Sequence, residues 1–155
     1  MNVVLQKPHF NIENINLLKK KTNNVISGYF TKFIYSCELF TMNGLYLEFP
    51  IHNMVSNIDN KCLNISYQPY EKDNIYHLNF FTIIEGQILD YYNCVNNIRK
   101  QGVAILSKKL YSGNIKKILD NNIYPNNIIT IKISGIWETE TEIGLAIKLI
   151  FNTDF

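Results

Sequence analysis

Two lysines on the last two predicted strands are the residues best placed to bind an anion. Isoleucines alternate with small or polar residues in 128–137, and apolar residues alternate again in 143–151. Because successive side chains of a strand point to opposite faces, Lys132 and Lys148 lie opposite the apolar side. The residues that share their face are Thr130, Ser134, Gly144 and Ala146. Such a face lets a phosphate backbone approach closely while the lysines neutralise its charge.

Aromatic side chains near these strands are candidate platforms on which bases stack. Trp137 ends the first of the two strands, and Tyr35 lies in an aromatic-rich segment, 29–42. Proteins that bind single strands combine such platforms with a basic groove. The alternative is a place in the hydrophobic core, where aromatic residues of alternating strands commonly lie. Three further candidates of the same kind are Tyr29, Phe33 and Tyr46.

A second basic group lies in the segment KKLYSGNIKK, 108–117, which predicts either a short hairpin or the start of a helix. The alternative to a binding role is an ordinary solvated surface. Its candidate nucleic-acid-binding residues are Lys108, Lys109, Tyr111 and Lys116, which bracket a Ser-Gly turn.

No arrangement of residues in the sequence predicts catalysis. The three histidines are far apart, and the sequence motifs of zinc proteases, phosphate-binding loops and serine hydrolases are absent. The three cysteines form no CxxC pair, so neither a disulfide framework nor a zinc site is expected. Glu138, Glu140 and Glu142 alternate in one acidic turn, which is typical of a solvated loop tip. We therefore expect no enzyme activity, no cofactor and no metal.

The composition indicates one soluble domain, 1–155, with only local basic patches. The chain has 155 residues, a net charge of +2 and 46% hydrophobic residues, and no apolar run approaches the length of a membrane span. Fourteen of its fifteen basic residues are lysines, and the single arginine is Arg99. A lysine contacts phosphate as a point charge and lacks the fork that reads guanine in a duplex, so binding without sequence preference is favoured.

The elements that must position these residues are mostly strands. Asn43-Gly44 separates 29–42 from 45–51, which predicts a hairpin between them. Further strands are predicted at 62–67 and 75–80, and the last two strands form a terminal hairpin closed by the acidic turn. A short edge strand is predicted at 1–5, and one or two helical turns at 14–21.

One long helix is predicted after the strand at 75–80. Thr82 and Glu85 have the spacing of a capping box, apolar residues then recur every three or four positions to Ile98, and Gly102 can end the helix. A helix in this place, between groups of strands, predicts a mainly β protein with an OB-fold-like barrel. The alternative is a two-layer α+β antiparallel sheet with the helix on one face.

Three segments resemble a group of viral proteins. KISGIWETETEIGLAIKLIF, FIYSCELFTMNGLYL and LYSGNIKK resemble small proteins of AT-rich large nucleocytoplasmic DNA viruses, some of which look like the phage-type single-stranded DNA-binding proteins. That resemblance implies an OB-fold that coats replication intermediates. Phage-type proteins also tend to end in an acidic tail with a terminal aromatic residue. This chain ends in Phe155 but has no acidic run before it.

These observations favour a sequence-independent single-stranded DNA-binding protein that acts in viral DNA replication or repair. Its expected partner is single-stranded nucleic acid, DNA rather than RNA, together with viral replication or virion proteins, inside the infected cell and without a membrane. The alternative is a viral structural or assembly protein with no catalytic activity. Low net charge and strands able to pair with a partner's strand favour this alternative.

Overall fold

Strands account for 46% of the structure, a computed structural model that describes residues 4–23, 25–119 and 125–153. Its helices are α1 (Lys72–Val95) and α2 (Ile105–Tyr111), and short 3-10 turns occur at Lys7–His9 and Ile12–Asn14. The strands in the described ranges are β1 (Ile15–Leu17), β2 (Lys21–Asn23), β3 (Gly28–Ser36), β4 (Thr41–Met42), β5 (Leu45–Pro50), β6 (Val55–Asp59), β7 (Cys62–Ser66), β8 (Gln101–Val103), β9 (Asn114–Ile118), β10 (Pro125–Glu138) and β11 (Glu142–Thr153).

The predicted terminal hairpin is confirmed and forms the centre of an eight-stranded sheet. The strand order is β1-β3-β10-β11-β8, with β2 and β4 beside β3 and β5 beside β10. β10 and β11 pair antiparallel, and a β-bulge leaves Ser134 as an extra residue between the pairs at Ile133 and Gly135. At this bulge β10 changes its partner on the other edge, from β5 to β3.

The hairpin predicted at Asn43-Gly44 is wrong. The second strand of that hairpin, β5, pairs with β10, whereas β4 folds back on β3 through a turn at Cys37–Phe40. Gly44 has a φ of +107°, and a Cβ there would lie 2.8 Å from the carbonyl oxygen of Ile133. Asn43-Gly44 therefore lets the chain pass close over β10 and change partner strands.

The long helix begins earlier and ends earlier than predicted. α1 starts at Lys72, so the strand predicted at 75–80 is wrong; Leu78 and Phe81 already belong to the buried face of the helix. Thr82 donates to the carbonyl of Leu78 and does not cap a helix start. α1 ends at Val95, and Gly102 lies in β8 instead of closing the helix.

Other segments complete a second, three-stranded sheet. The strand predicted at 62–67 is confirmed as β7, which lies between β6 and β9. Segment 108–117 forms the end of α2 followed by β9. Segment 14–21 contains β1 and the start of β2 where helical turns were predicted, and most of 1–5 lies outside the described residues.

The fold is mainly β with mixed and antiparallel sheets that do not close, an arrangement compatible with the α+β alternative. A closed OB-fold barrel is therefore not shown. One cluster of buried side chains joins both sheets and both helices, and it includes the three alternating isoleucines of β10. The opposite side of the eight-stranded sheet, which we call the outer face, carries the predicted lysine pair.

Candidate nucleic-acid interface

The outer face carries Lys132, Lys148, Gly144 and Ala146, as the alternation of β10 and β11 predicted. Of the other two predicted residues, Thr130 is buried and Ser134 is the extra residue of the bulge. Lys132 lies directly opposite Lys148, and Gly135 lies opposite Ala146. Tyr46 of β5 is the neighbour of Lys132 on its other side, and its buried ring lies 5.3 Å from the lysine Nζ. Within the described residues neither lysine forms an ion pair. Since like charges that face each other repel, an anion bound here would relieve that repulsion.

An aromatic row crosses four strands of the same face. Phe30 lies opposite Trp137, Trp137 lies opposite Gly144, and Lys21 of β2 lies opposite Phe30. Both rings lie over glycines. A Cβ at Gly144 would come within 2.2 Å of Trp137 Cζ2, and one at Gly135 within 2.8 Å of Phe30 Cζ. Because glycine has no side chain, the two rings lie close to the backbone of the sheet. Both rings remain partly exposed.

A groove of about 790 Å³ opens beside this row, between the sheet and the connection from β2 to β3. Its sheet side is formed by Phe30, Trp137 and Ala146, and its other side by Val25 and Ile26. The remaining lining residues are Lys21, Thr22, Asn23, Thr139 and Glu142. Apolar surface with a few polar groups at one end is the usual composition of a small-ligand site.

Four lysines give the outer face an excess of positive charge. Lys21 and Lys32 lie on β2 and β3 beside the aromatic row, and Lys132 and Lys148 lie further along β10 and β11. Among the described residues, the carboxylates on this face are those of Glu48, opposite Thr130, and of Glu142, in the groove. The lysine pair is four residues from the aromatic row along β11, a distance of about 13 Å.

The structure corrects the prediction that Tyr35 is a stacking platform. Its side chain is 1% exposed and packs between Phe10 and Phe40, with ring centroids 6.1 and 6.5 Å away. Its hydroxyl accepts a hydrogen bond from the backbone N–H of Asn11 and donates to the carbonyl of His9. Two further candidates, Phe33 and Tyr46, are also buried.

The second basic group does not lie on the outer face. Lys108 and Lys109 are exposed in the last turn of α2, where the negative end of the helix dipole stabilises cations. Tyr111 packs against Tyr70, with ring centroids 5.8 Å apart, and donates a hydrogen bond to the side chain of Asn79. Lys116 lies in the three-stranded sheet opposite Asn64. These residues therefore lie on other elements of the fold than Lys132 and Lys148.

The acidic turn is not wholly solvated, because Glu138 is buried. Its carboxylate accepts hydrogen bonds from Lys20 Nζ at 2.9 Å, Lys100 Nζ at 2.8 Å and the Tyr92 hydroxyl at 2.6 Å. Burial alone would raise the pKa of Glu138, but the hydrogen bonds from Lys100, Tyr92 and Lys20 and the charge of Lys20 outweigh it and lower the pKa to about 2. This network anchors the end of β10 immediately after Trp137.

Tyr92 is held in the same network by burial and by its carboxylate partner. Its hydroxyl lies 3.2 Å from that of Thr31 on β3. Burial, and then the hydrogen bond to Glu138, raises the pKa of Tyr92 to about 12. The phenol therefore remains a hydrogen-bond donor at neutral pH, and it ties α1 to β3 and β10.

Glu85, the second buried carboxylate in the described residues, has a structural role. It accepts hydrogen bonds from the backbone N–H groups of Leu106 and Ser107 and from the Ser107 hydroxyl. These donors belong to the first turn of α2, so Glu85 caps that helix from α1. The capping box predicted at Thr82 and Glu85 is therefore wrong, because both residues lie in the interior of α1.

The described residues contain no group of three or more histidine, cysteine or acidic side chains able to hold a metal ion. None of their helices is long and apolar enough to cross a membrane. No protein-family model, no curated protein and no solved structure matches the chain. The geometry of the outer face is therefore the basis for assigning a function.

Proposed function

We propose that the protein binds single-stranded nucleic acid on the outer face of its eight-stranded sheet. The observation that carries the proposal is the combination on one face of the aromatic row, Phe30 and Trp137, with Lys132 and Lys148, which form no ion pair within the described residues. Non-specific single-strand binders use stacking platforms and a positively charged groove in this way. The faces of nucleic-acid bases are accessible for stacking only where the bases are unpaired. A duplex should therefore bind more weakly than a single strand.

In this proposal the bound strand runs along β10 and β11. Bases stack on the rings of Phe30 and Trp137, and phosphates lie near Lys132 and Lys148. Lys21 and Lys32 are placed to contact the backbone beside the stacked bases. Contacts of lysine with phosphate carry no sequence information, so the bulk of the affinity is independent of sequence.

We propose that this binding acts in viral DNA replication or repair in an infected cell, and the resemblance to viral proteins supports this role. The proposed mode of binding is like that of the phage-type single-stranded DNA-binding proteins. One face of a sheet presents aromatic and basic side chains to the nucleic acid. We also propose that the sheet is related to an OB-fold. The order of strands, helix and terminal hairpin supports this relation.

The experiment is a fluorescence-anisotropy titration of a labelled oligo(dT) at several salt concentrations. If the four lysines each neutralise one phosphate, the logarithm of the association constant falls against the logarithm of salt concentration with a slope of about −3. Affinity then weakens by about 50-fold between roughly 50 and 200 mM salt. Absence of binding at low salt would refute the proposal.

A pair of matched variants locates the binding face. Replacing Lys132 and Lys148 together by glutamine should reduce the slope to about half, because two of four phosphate contacts are lost. The control replaces Lys108 and Lys109 of α2 by glutamine, which changes the net charge equally and leaves the outer face intact. An equal loss of affinity in the control would show that the net charge, and not the outer face, determines binding.

An assembly role is the second candidate, and the three-stranded sheet favours it. β6 and β9 form the two edges of this sheet, and they expose Val55 (70%) and Ile118 (81%). An open edge with apolar side chains can add a strand from a partner. A copy number in purified virus particles equal to that of a capsid component would support this role, whereas absence from particles would exclude it.

A further inference from the structure

We propose that the groove beside Trp137 holds one unpaired base of the bound strand and that Glu142 selects guanine at that position. This inference rests on the proposed function. It goes beyond that function because it assigns a preference to one nucleotide of an otherwise sequence-independent complex.

The apolar parts of the groove suit a flat aromatic ligand. Trp137 and Phe30 form its floor, lowered onto the sheet by Gly144 and Gly135. Val25 stands at the opposite wall with 93% of its surface exposed, so its apolar side chain is free to pack on a base. A base that stacks on the two rings can also contact this side chain.

The polar end of the groove contains a carboxylate available to a ligand. Glu142 is half-buried, and in the described part of the chain it takes no part in an ion pair or a side-chain hydrogen bond. Its backbone N–H donates to the Thr139 hydroxyl, and that hydroxyl donates to the Glu142 carbonyl, which fixes the turn around it. An ionised carboxylate only accepts hydrogen bonds, so its ligand must present donors.

Guanine is the base that best satisfies this end of the groove. Its Watson–Crick edge presents two adjacent donors, the ring N1–H and the exocyclic N2 amino group, which match the two oxygens of a carboxylate. Adenine and cytosine each place a ring-nitrogen acceptor next to their amino group, and thymine places carbonyl oxygens on both sides of its single N–H. These acceptors would face a carboxylate oxygen and repel it. Bidentate hydrogen bonds to a charged group are the stronger kind.

The test compares the affinities of oligo(dT) strands that carry one central substitution. A single dG should strengthen binding about tenfold over all-dT, within the range for one good bidentate contact, whereas dA and dC should not. Inosine, which lacks the exocyclic amino group, should lose most of the gain. A single guanine avoids the four-stranded structures of guanine-rich DNA.

Two glutamate variants identify the selecting residue. Glu142→Gln should reduce the dG-to-dT affinity ratio to about one, because the amide no longer offers two acceptor oxygens. Glu140→Gln, an exposed residue of the same turn, should preserve the ratio. Equal affinities for all four bases in the unmodified protein overturn the guanine site while oligo(dT) binding still supports the proposed function. Failure of every strand to bind overturns both.

Discussion

Replacing Glu138 by glutamine should destabilise the protein by about 3 kcal/mol at neutral pH. The carboxylate is 4% exposed, and its pKa is lowered from 4.5 to about 2 by its three hydrogen-bond donors against the opposing effect of burial. A pKa lowered on folding means that the ionised form stabilises the folded state by about 1.4 kcal/mol for each unit. Glutamine resembles the protonated carboxyl group, so the variant loses this stabilisation.

The loss of stability in Glu138→Gln should depend on pH. The stabilisation from a carboxylate of lowered pKa is complete above its unfolded value, 4.5, and disappears as the pH falls through the folded value, about 2. The difference between the native protein and Glu138→Gln should therefore be full at pH 7 and less than half at about pH 3.

Urea unfolding followed by circular dichroism measures both quantities. Glu140→Gln, in the exposed part of the same turn, is the matched control and should change the unfolding free energy by less than about 0.5 kcal/mol. A loss for Glu138→Gln below about 1 kcal/mol at pH 7, or a loss of constant size down to pH 3, would show that the network with Lys20, Lys100 and Tyr92 does not hold the carboxylate ionised.

Three further predictions concern the aromatic row and the edge of α1. Trp137→Leu should weaken oligo(dT) binding in the anisotropy titration by about 5- to 150-fold, the cost of one lost stacking contact of about 1–3 kcal/mol; unchanged affinity would remove Trp137 from the site. Gly144→Ala should weaken binding as well, because its Cβ would lie 2.2 Å from Trp137 Cζ2 and lift the ring; a tryptophan emission spectrum identical to that of the native protein would contradict this. His77 should titrate near pH 4 in an NMR experiment, because burial and then the neighbouring Lys7 charge lower its pKa to about 4; a midpoint above pH 6 would show that the ring is solvated.

The terminal hairpin could be predicted from the sequence because apolar residues alternate in 129–133 and again in 143–151, and one face of each strand is buried against the core. The Asn43-Gly44 turn could not, since turn chemistry is local while the choice of partner strand is made by distant residues. β5 gains more by pairing with the buried β10 than with β4, and Gly44 permits the close crossing. Local composition also predicts a strand at 75–80, whereas this segment forms the first turns of α1.

The candidate site was partly predictable. Lys132, Lys148, Gly144 and Ala146 follow from alternation alone. The bulge at Ser134 then shifts the alternation by one residue, which brings Trp137 to the outer face and turns Glu138 inward. Ser134-Gly135 is the local signal that could have suggested this shift. Phe30 joins the site through the pairing of β3 with β10, which no local pattern specifies.

The binding face can be tested directly through the fluorescence of Trp137, which is the single tryptophan of the chain. Titration with oligo(dT) at low salt should quench its emission, and the quenching should saturate at the same concentration as the anisotropy change. Duplex DNA of equal length should quench much less. Quenching that follows binding would show that bases stack at the outer face. Oligo(dT) binding that leaves the emission of Trp137 unchanged, or no binding at all, would contradict the account.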